Sequence, residues 1–147
     1  MHIPCSAGLS EEQMSWHDEL RRREVWPVRL GSFLEQRQVR SVDLVKLDIE
    51  GTEAQALRGM AVTLRRDRPS IVCEVLPGDQ RGEELEALLR PLGYRFYHLT
   101  PEGPLPAQDI EGHPKWLNYL FTAFDPEQTL RLCEHAGDLT GRKASQL

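Results

Sequence analysis

The sequence predicts an α/β fold built on a mostly parallel, layered sheet with an antiparallel strand pair at its C-terminal end. Three observations carry that expectation. The runs 42–49 and 70–76 have the near-continuous apolar character of parallel strands covered on both faces. Residues 52–66 and 83–92 follow them with helical periodicity. Two further strands, 94–99 and 116–124, are joined by a Pro/Gly-rich loop with no helix pattern, so this last pair is expected to be antiparallel.

Each element has a local reason. Residues 1–9 carry no pattern and are expected to form an arm. Residues 10–24 read as a polar helix opened by Ser10 and Gln13, a capping-box pair, with a thin apolar face of Met14, Trp16 and Leu20. Residues 25–30 read as a short strand that Pro27 confines to an edge. Ser32 caps a short helix over 33–37. In the strand 42–49 the apolar residues are Val42, Leu44, Val45, Leu47 and Ile49, and Gly51 breaks the run. The helix 52–66 lines up Ala54, Leu57, Ala61 and Leu64, with Arg65 and Arg66 suited to its negative C-terminal end. Pro69 precedes the strand 70–76, and Pro77-Gly78-Asp79 is turn chemistry. Leu85, Leu88, Leu89 and Leu92 form one stripe of the next helix. Pro91 removes a donor and should distort its last turn, which Gly93 ends. Residues 100–114 read as loop, and Asp125 begins a further capped helix or turn. The expected organisation is an arm and polar helix over 1–24, the α/β unit over 25–125, and a C-terminal helix and tail over 126–147.

Composition narrows the function classes. A chain of 147 residues fits one domain with its own core. The net charge of −5, with both signs interspersed, excludes the basic stripe that a nucleic-acid surface needs. The basic runs 21–23 and 65–66 are flanked by acids and read as solvated helix faces. No window approaches the length of a membrane span. Cys5, Cys73 and Cys133 fit neither a disulfide framework nor a zinc site, and a reducing, cytoplasmic compartment is expected. Cys73, inside an apolar run, reads as a small core residue. His98 and His113 read as surface residues, and Trp116 as part of the core.

The chemistry concentrates in Lys46-Leu47-Asp48-Ile49-Glu50-Gly51-Thr52-Glu53. Side chains alternate along a strand, so Lys46 and Asp48 share a face near its carboxyl end, where open α/β sheets bind ligands. Glu50 lies in the following turn and Glu53 at the start of a helix, where an acid is favoured electrostatically. An ammonium and up to three carboxylates therefore converge. A purely structural reading stands beside this one: a Lys at the end of a buried strand pairs with a neighbouring acid, and Glu53 caps a helix. An Asp-Glu-Glu cluster can also hold a divalent cation, although nothing supplies further ligands in register.

Residues 42–53, Val-Asp-Leu-Val-Lys-Leu-Asp-Ile-Glu-Gly-Thr-Glu, resemble the signature of FkbM-family methyltransferases, an apolar strand followed by Lys-apolar-Asp-apolar-Glu-Gly-x-Glu. The likeness continues through Leu57-Arg58-Gly59, Arg68-Pro69, Cys73-Glu74-Val75, Leu92-Gly93-Tyr94 and Asn118-Tyr119-Leu120-Phe121, and spans about residues 25–124. The resemblance implies a partial class I, Rossmann-like methyltransferase fold, a three-layer sandwich. It implies S-adenosylmethionine as methyl donor and a hydroxyl of a sugar, polyketide or related metabolite as acceptor. Carried over, Asp48 positions substrate or cofactor, Lys46 and Glu50 orient it or shape the acceptor pocket, and Glu53 and Glu74 lie nearby.

The sequence departs from the family in two ways. It contains no Gly-x-Gly, so the glycine-rich donor loop of the first βαβ unit is missing, and Gly31 stands where the family has Asp. The expectation is a C-terminal part of such an enzyme, inactive alone. The strand 42–49 would then have an open edge for a homodimer partner, a complementing N-terminal segment or another chain. A non-catalytic interaction module on the same sheet is the alternative. An unrelated nucleotide-binding domain or metal-dependent hydrolase is disfavoured by the likeness continuing beyond the acidic turn.

Overall fold

The computed structural model describes residues 26, 28–49, 51–77 and 81–139. The expected arm and helix of 1–24, Cys5, Pro27, Glu50, the Gly78-Asp79 turn and the end of the tail lie outside the described residues. The element order is α1 (Leu30–Gln36), β1 (Leu44–Leu47), α2 (Glu53–Gly59), α3 (Ala61–Asp67), β2 (Ser70–Glu74), α4 (Arg81–Leu89) with a 3₁₀ turn (Arg90–Leu92), β3 (Arg95–Thr100), β4 (Gly103–Ala107), β5 (Asn118–Thr122) and α5 (Pro126–Leu139).

The five strands form one sheet in the order β1-β2-β5-β3-β4. Only β1 and β2 pair in parallel, with Leu47 beside Cys73. The β2–β5, β3–β5 and β3–β4 pairings are all antiparallel. The sheet is therefore mixed: β1, β2 and β3 run in one direction, as the expected parallel sheet requires, but β5 and β4 run in the other and only one pairing is parallel. Two features made the difference: β5 inserts between β2 and β3, and residues 103–107, read as loop, form a strand. That strand contains Pro104 and Pro106, which disguise it in sequence and which an edge strand tolerates. The expected antiparallel relation of the last two sequence-read strands holds, with Phe96 opposite Phe121.

Register puts Leu47, Ile71, Cys73, Phe96, Tyr119 and Phe121 on one face, and these join Leu57, Met60, Leu64, Leu85 and Leu89 from the helices in one buried core. Phe96 and Phe121 meet edge to face at 5.6 Å between centroids, a favoured aromatic geometry. Cys73 lies in this core as expected, and burial, followed by the Glu53 carboxylate, pushes its thiol pKa up to about 12.

Several local expectations change. The described residues of the expected strand 25–30 are not in a strand, and Leu30 instead opens α1, so Ser32 lies inside that helix rather than capping it. Gly31 has a packing role there: a Cβ on it would lie 3.1 Å from the Gly59 carbonyl oxygen. The single helix expected over 52–66 is two, because Met60 leaves helical geometry (φ −118°, ψ 23°) with its side chain buried in the core. The strand expected over 42–49 shortens to 44–47, and among the described residues it is covered on one face only, with Leu44 63% exposed. Its ends are drawn off by side chains: the Val42 N–H donates to Asp67 Oδ2 at 3.1 Å, and the Ile49 N–H donates to Glu53 Oε1 at 3.2 Å. The distorted end of α4 at Pro91 and the left-handed Gly93 (φ 76°) follow the sequence reading. So does the start of α5, where Asp125 Oδ1 accepts the Gln128 N–H and Gln128 Oε1 accepts the Asp125 N–H.

Phe121 is fully buried at the middle of the sheet, so Phe121→Ala should destabilise the chain by about 3–5 kcal/mol. This is read as a lower urea midpoint at unchanged m-value. Leu44→Ala, on the exposed side of β1, should change stability by less than about 0.5 kcal/mol.

Candidate functional site

The carboxyl ends of β1 and β2 lie side by side, and the amino end of β5 lies next to them. Leu47 is beside Cys73, so Asp48 follows level with Glu74, and Glu74 is opposite Asn118. By strand alternation Lys46, Glu74 and Asn118 project from the face opposite the core. Asp48 joins them, because its Oδ2 lies 3.4 Å from Lys46 Nζ. At a strand spacing of about 4.8 Å, the row Asp48–Glu74–Asn118 spans roughly 10 Å.

The Lys46 ammonium also donates to the Leu47 carbonyl at 3.3 Å. The side chains of Lys46 and Asp48 are 49% and 56% exposed, so the pair is an open, water-screened one that orients rather than stabilises. The sequence reading missed Asn118 as a site residue. Its signal is register, which appears only once β5 is known to lie beside β2.

The turn after Asp48 is held from inside. Gly51 adopts φ 94°, which a side chain would oppose. The Glu53 carboxylate is buried at 6% exposure, and its Oε1 accepts the N–H groups of both Ile49 (3.2 Å) and Gly51 (3.1 Å). Thr52 Oγ1 adds a bond to the Ile49 carbonyl at 3.1 Å. Glu53 thus grips the backbone on either side of Glu50, the candidate residue outside the described set. Among the described residues no group of three or more His, Cys, Asp or Glu is arranged to hold a metal ion. Among them also, no helix is long and apolar enough to cross a membrane.

These features define an α/β protein whose polar groups gather at the carboxyl ends of neighbouring parallel strands, the usual ligand position in such sheets. The model of the methyltransferase FkbM domain matches residues 3–96, and the chain belongs to that family. The match takes in Lys46, Asp48, Glu53 and Glu74 and ends within β3. No curated protein and no solved structure matches the chain.

Glu53→Ala should leave two part-buried amides without an acceptor, at a cost of about 1–3 kcal/mol. Hydrogen exchange at Ile49 and Gly51 should quicken. Glu53→Gln retains an acceptor oxygen and should keep most of that protection.

Proposed function

We propose that this chain carries the part of an S-adenosylmethionine-dependent O-methyltransferase site where donor and acceptor meet, acting on a hydroxyl of a sugar, polyketide or related metabolite. The observation that carries the reading is the row Asp48–Glu74–Asn118 with Lys46 beside it, at the strand ends and inside or next to the family match. The donor set suits such a cofactor, since carboxylates on one face favour a sulfonium cation. When bound, S-adenosylmethionine supplies an already activated methyl group.

The chain's own residues then have simple tasks. Asp48, where donor and acceptor meet, accepts a hydrogen bond from the cofactor and, in the reaction, takes the proton of the acceptor hydroxyl. Lys46 holds the Asp48 carboxylate in place. Glu74, with Glu50 from the turn, orients the acceptor. Glu53 serves the substrate through the turn it grips. Positioning supplies most of the rate, because the leaving group is good.

Calorimetry with S-adenosylhomocysteine tests this reading. Binding weakened about 10- to 100-fold in Asp48→Ala, the worth of one hydrogen bond to a charged group, is expected. A folded wild-type chain that binds none of it sinks the proposal.

A second reading is favoured by the β1 edge. The Ser70 N–H donates to the Asp43 carbonyl at 2.9 Å, so by alternation the main-chain groups of Leu44 and Lys46 turn away from β2. An edge whose outward donors and acceptors have no partner among the described residues, with an exposed Leu44, suits strand addition by another chain. Sedimentation should then give a concentration-dependent dimer that Leu44→Pro abolishes. A wild-type chain that stays monomeric rules out pairing between copies and leaves the first reading untouched.

A further inference from the structure

Residues 108–117 form a strap that runs from the end of β4 to the start of β5 and delivers Asn118 to the site row. It is fastened closely. A Cβ on Gly112 would lie 2.0 Å from the Leu76 carbonyl oxygen, so only glycine lets the strap lie against the segment that follows Glu74. The Leu117 carbonyl accepts the Val75 N–H at 2.8 Å. At its start, Arg90 holds Asp109 and the Gln108 carbonyl, while Glu86 Oε1 accepts the Ile110 N–H at 2.7 Å.

The middle of the strap is held by neutral imidazoles. Tyr119 Oη donates to the Glu111 carbonyl at 2.8 Å and accepts the Glu111 N–H at 3.1 Å. Its one proton is thereby used, so His98 Nε2, 3.1 Å away, must be the donor in their contact. His98 is then the Nε2–H tautomer, and its Nδ1 is a bare lone pair, buried without a hydrogen-bond partner. His113 Nδ1 accepts two strap amides, those of Lys115 and Trp116, each at 3.1 Å, so it too must be unprotonated. The two rings pack edge to face at 5.5 Å, and His113 stacks on Trp116, which Lys115 covers at 4.3 Å.

We propose that the 108–117 strap is an acid-opened latch, closed while His98 is neutral and released when it takes up a proton. Protonating His98 at Nδ1 puts a charge at a water-excluded position beside the other ring.

The charged and titratable groups around the pair are Tyr119, which meets His98, then Glu111, Glu86 and Asp109, which act on Tyr119, with Arg90 paired to Asp109 and Lys115 over Trp116. Burial, and then His113, lower the His98 pKa below 6.5, against a Trp116 main-chain bond that acts in the raising direction. A base with a lowered pKa in the closed state favours closure at high pH, and this preference fades as pH falls below the ordinary value of about 6.5. Burial raises the Glu86 pKa, but the Arg90 hydrogen bond and the Ile110 N–H outweigh it and bring it below 4.5. Its contribution is kept above that range and lost only at lower pH, so it does not share the histidine window. That opening moves Asn118 and exposes the site row rests on the function proposed above. The latch itself is tested without ligand, so either idea can fail alone.

Hydrogen exchange of the full chain, corrected for intrinsic rates, tests it at about pH 7.5 and about pH 5, on either side of the histidine range. Peptides over 108–117 should lose protection severalfold at the lower pH, while β2 peptides and β5 beyond Asn118 keep theirs. The double substitution His98→Gln/His113→Asn keeps hydrogen-bonding groups that do not titrate, and its strap protection should be independent of pH. If that variant does not fold, His98→Gln alone should at least halve the response. Equal protection of the wild-type strap at both pH values overturns the proposal, as does an undiminished acid response in the variant.

Discussion

Everything at the candidate site depends on β5 pairing with β2 on one side and β3 on the other. That single insertion seats Phe121 between Ile71 and Phe96 in the core. It also sets Asn118 opposite Glu74 at the strand ends. Because strand alternation has period two, these consequences are locked together: a slip of one residue would send Phe121 to the outer face and turn Asn118 into the core. The buried aromatic contact therefore fixes the address of a polar residue some 10 Å away, three residues along the same strand.

The turn after β1 works on a similar division of labour. Lys46 and Asp48 are open to water and interact with each other weakly, whereas Glu53 is buried and bonded to two amides. The exposed pair is free to meet a ligand because the buried carboxylate holds the backbone for it. Glu53, which the family resemblance sets among the substrate-side residues, is thus committed through one oxygen to the protein's own backbone.

Much of this was legible in the sequence. Lys46, Asp48 and Glu53 stand out because a strand and a helix with opposite periodicities meet at Gly51, and the family assignment follows from the same residues. The α4 stripe, Pro91 and Gly93 also read directly, since local sterics decide them. What could not be read was set by non-local contacts. Pro104 and Pro106 hide β4 because edge position, not propensity, makes a strand there. Met60 breaks a helix because the core claims its side chain. Leu44 looks like a buried residue and is exposed because β1 is at the margin of the described sheet. His98 and His113 read as scattered surface histidines, because only the fold brings their rings together with Tyr119.

The two margins of the sheet are unequal. At one, β4 carries two prolines that cannot act as donors to a further strand. At the other, among the described residues, β1 has main-chain groups turned outward. Growth of the sheet is therefore one-way. A strand added beside β1 would move Lys46 and Asp48 from a rim to the floor of a crevice. Their charges, now damped by water, would act through a less polarisable medium, where the same 3.4 Å separation carries several times the Coulomb energy. The strength of the site's electrostatics would thus follow any strand added there.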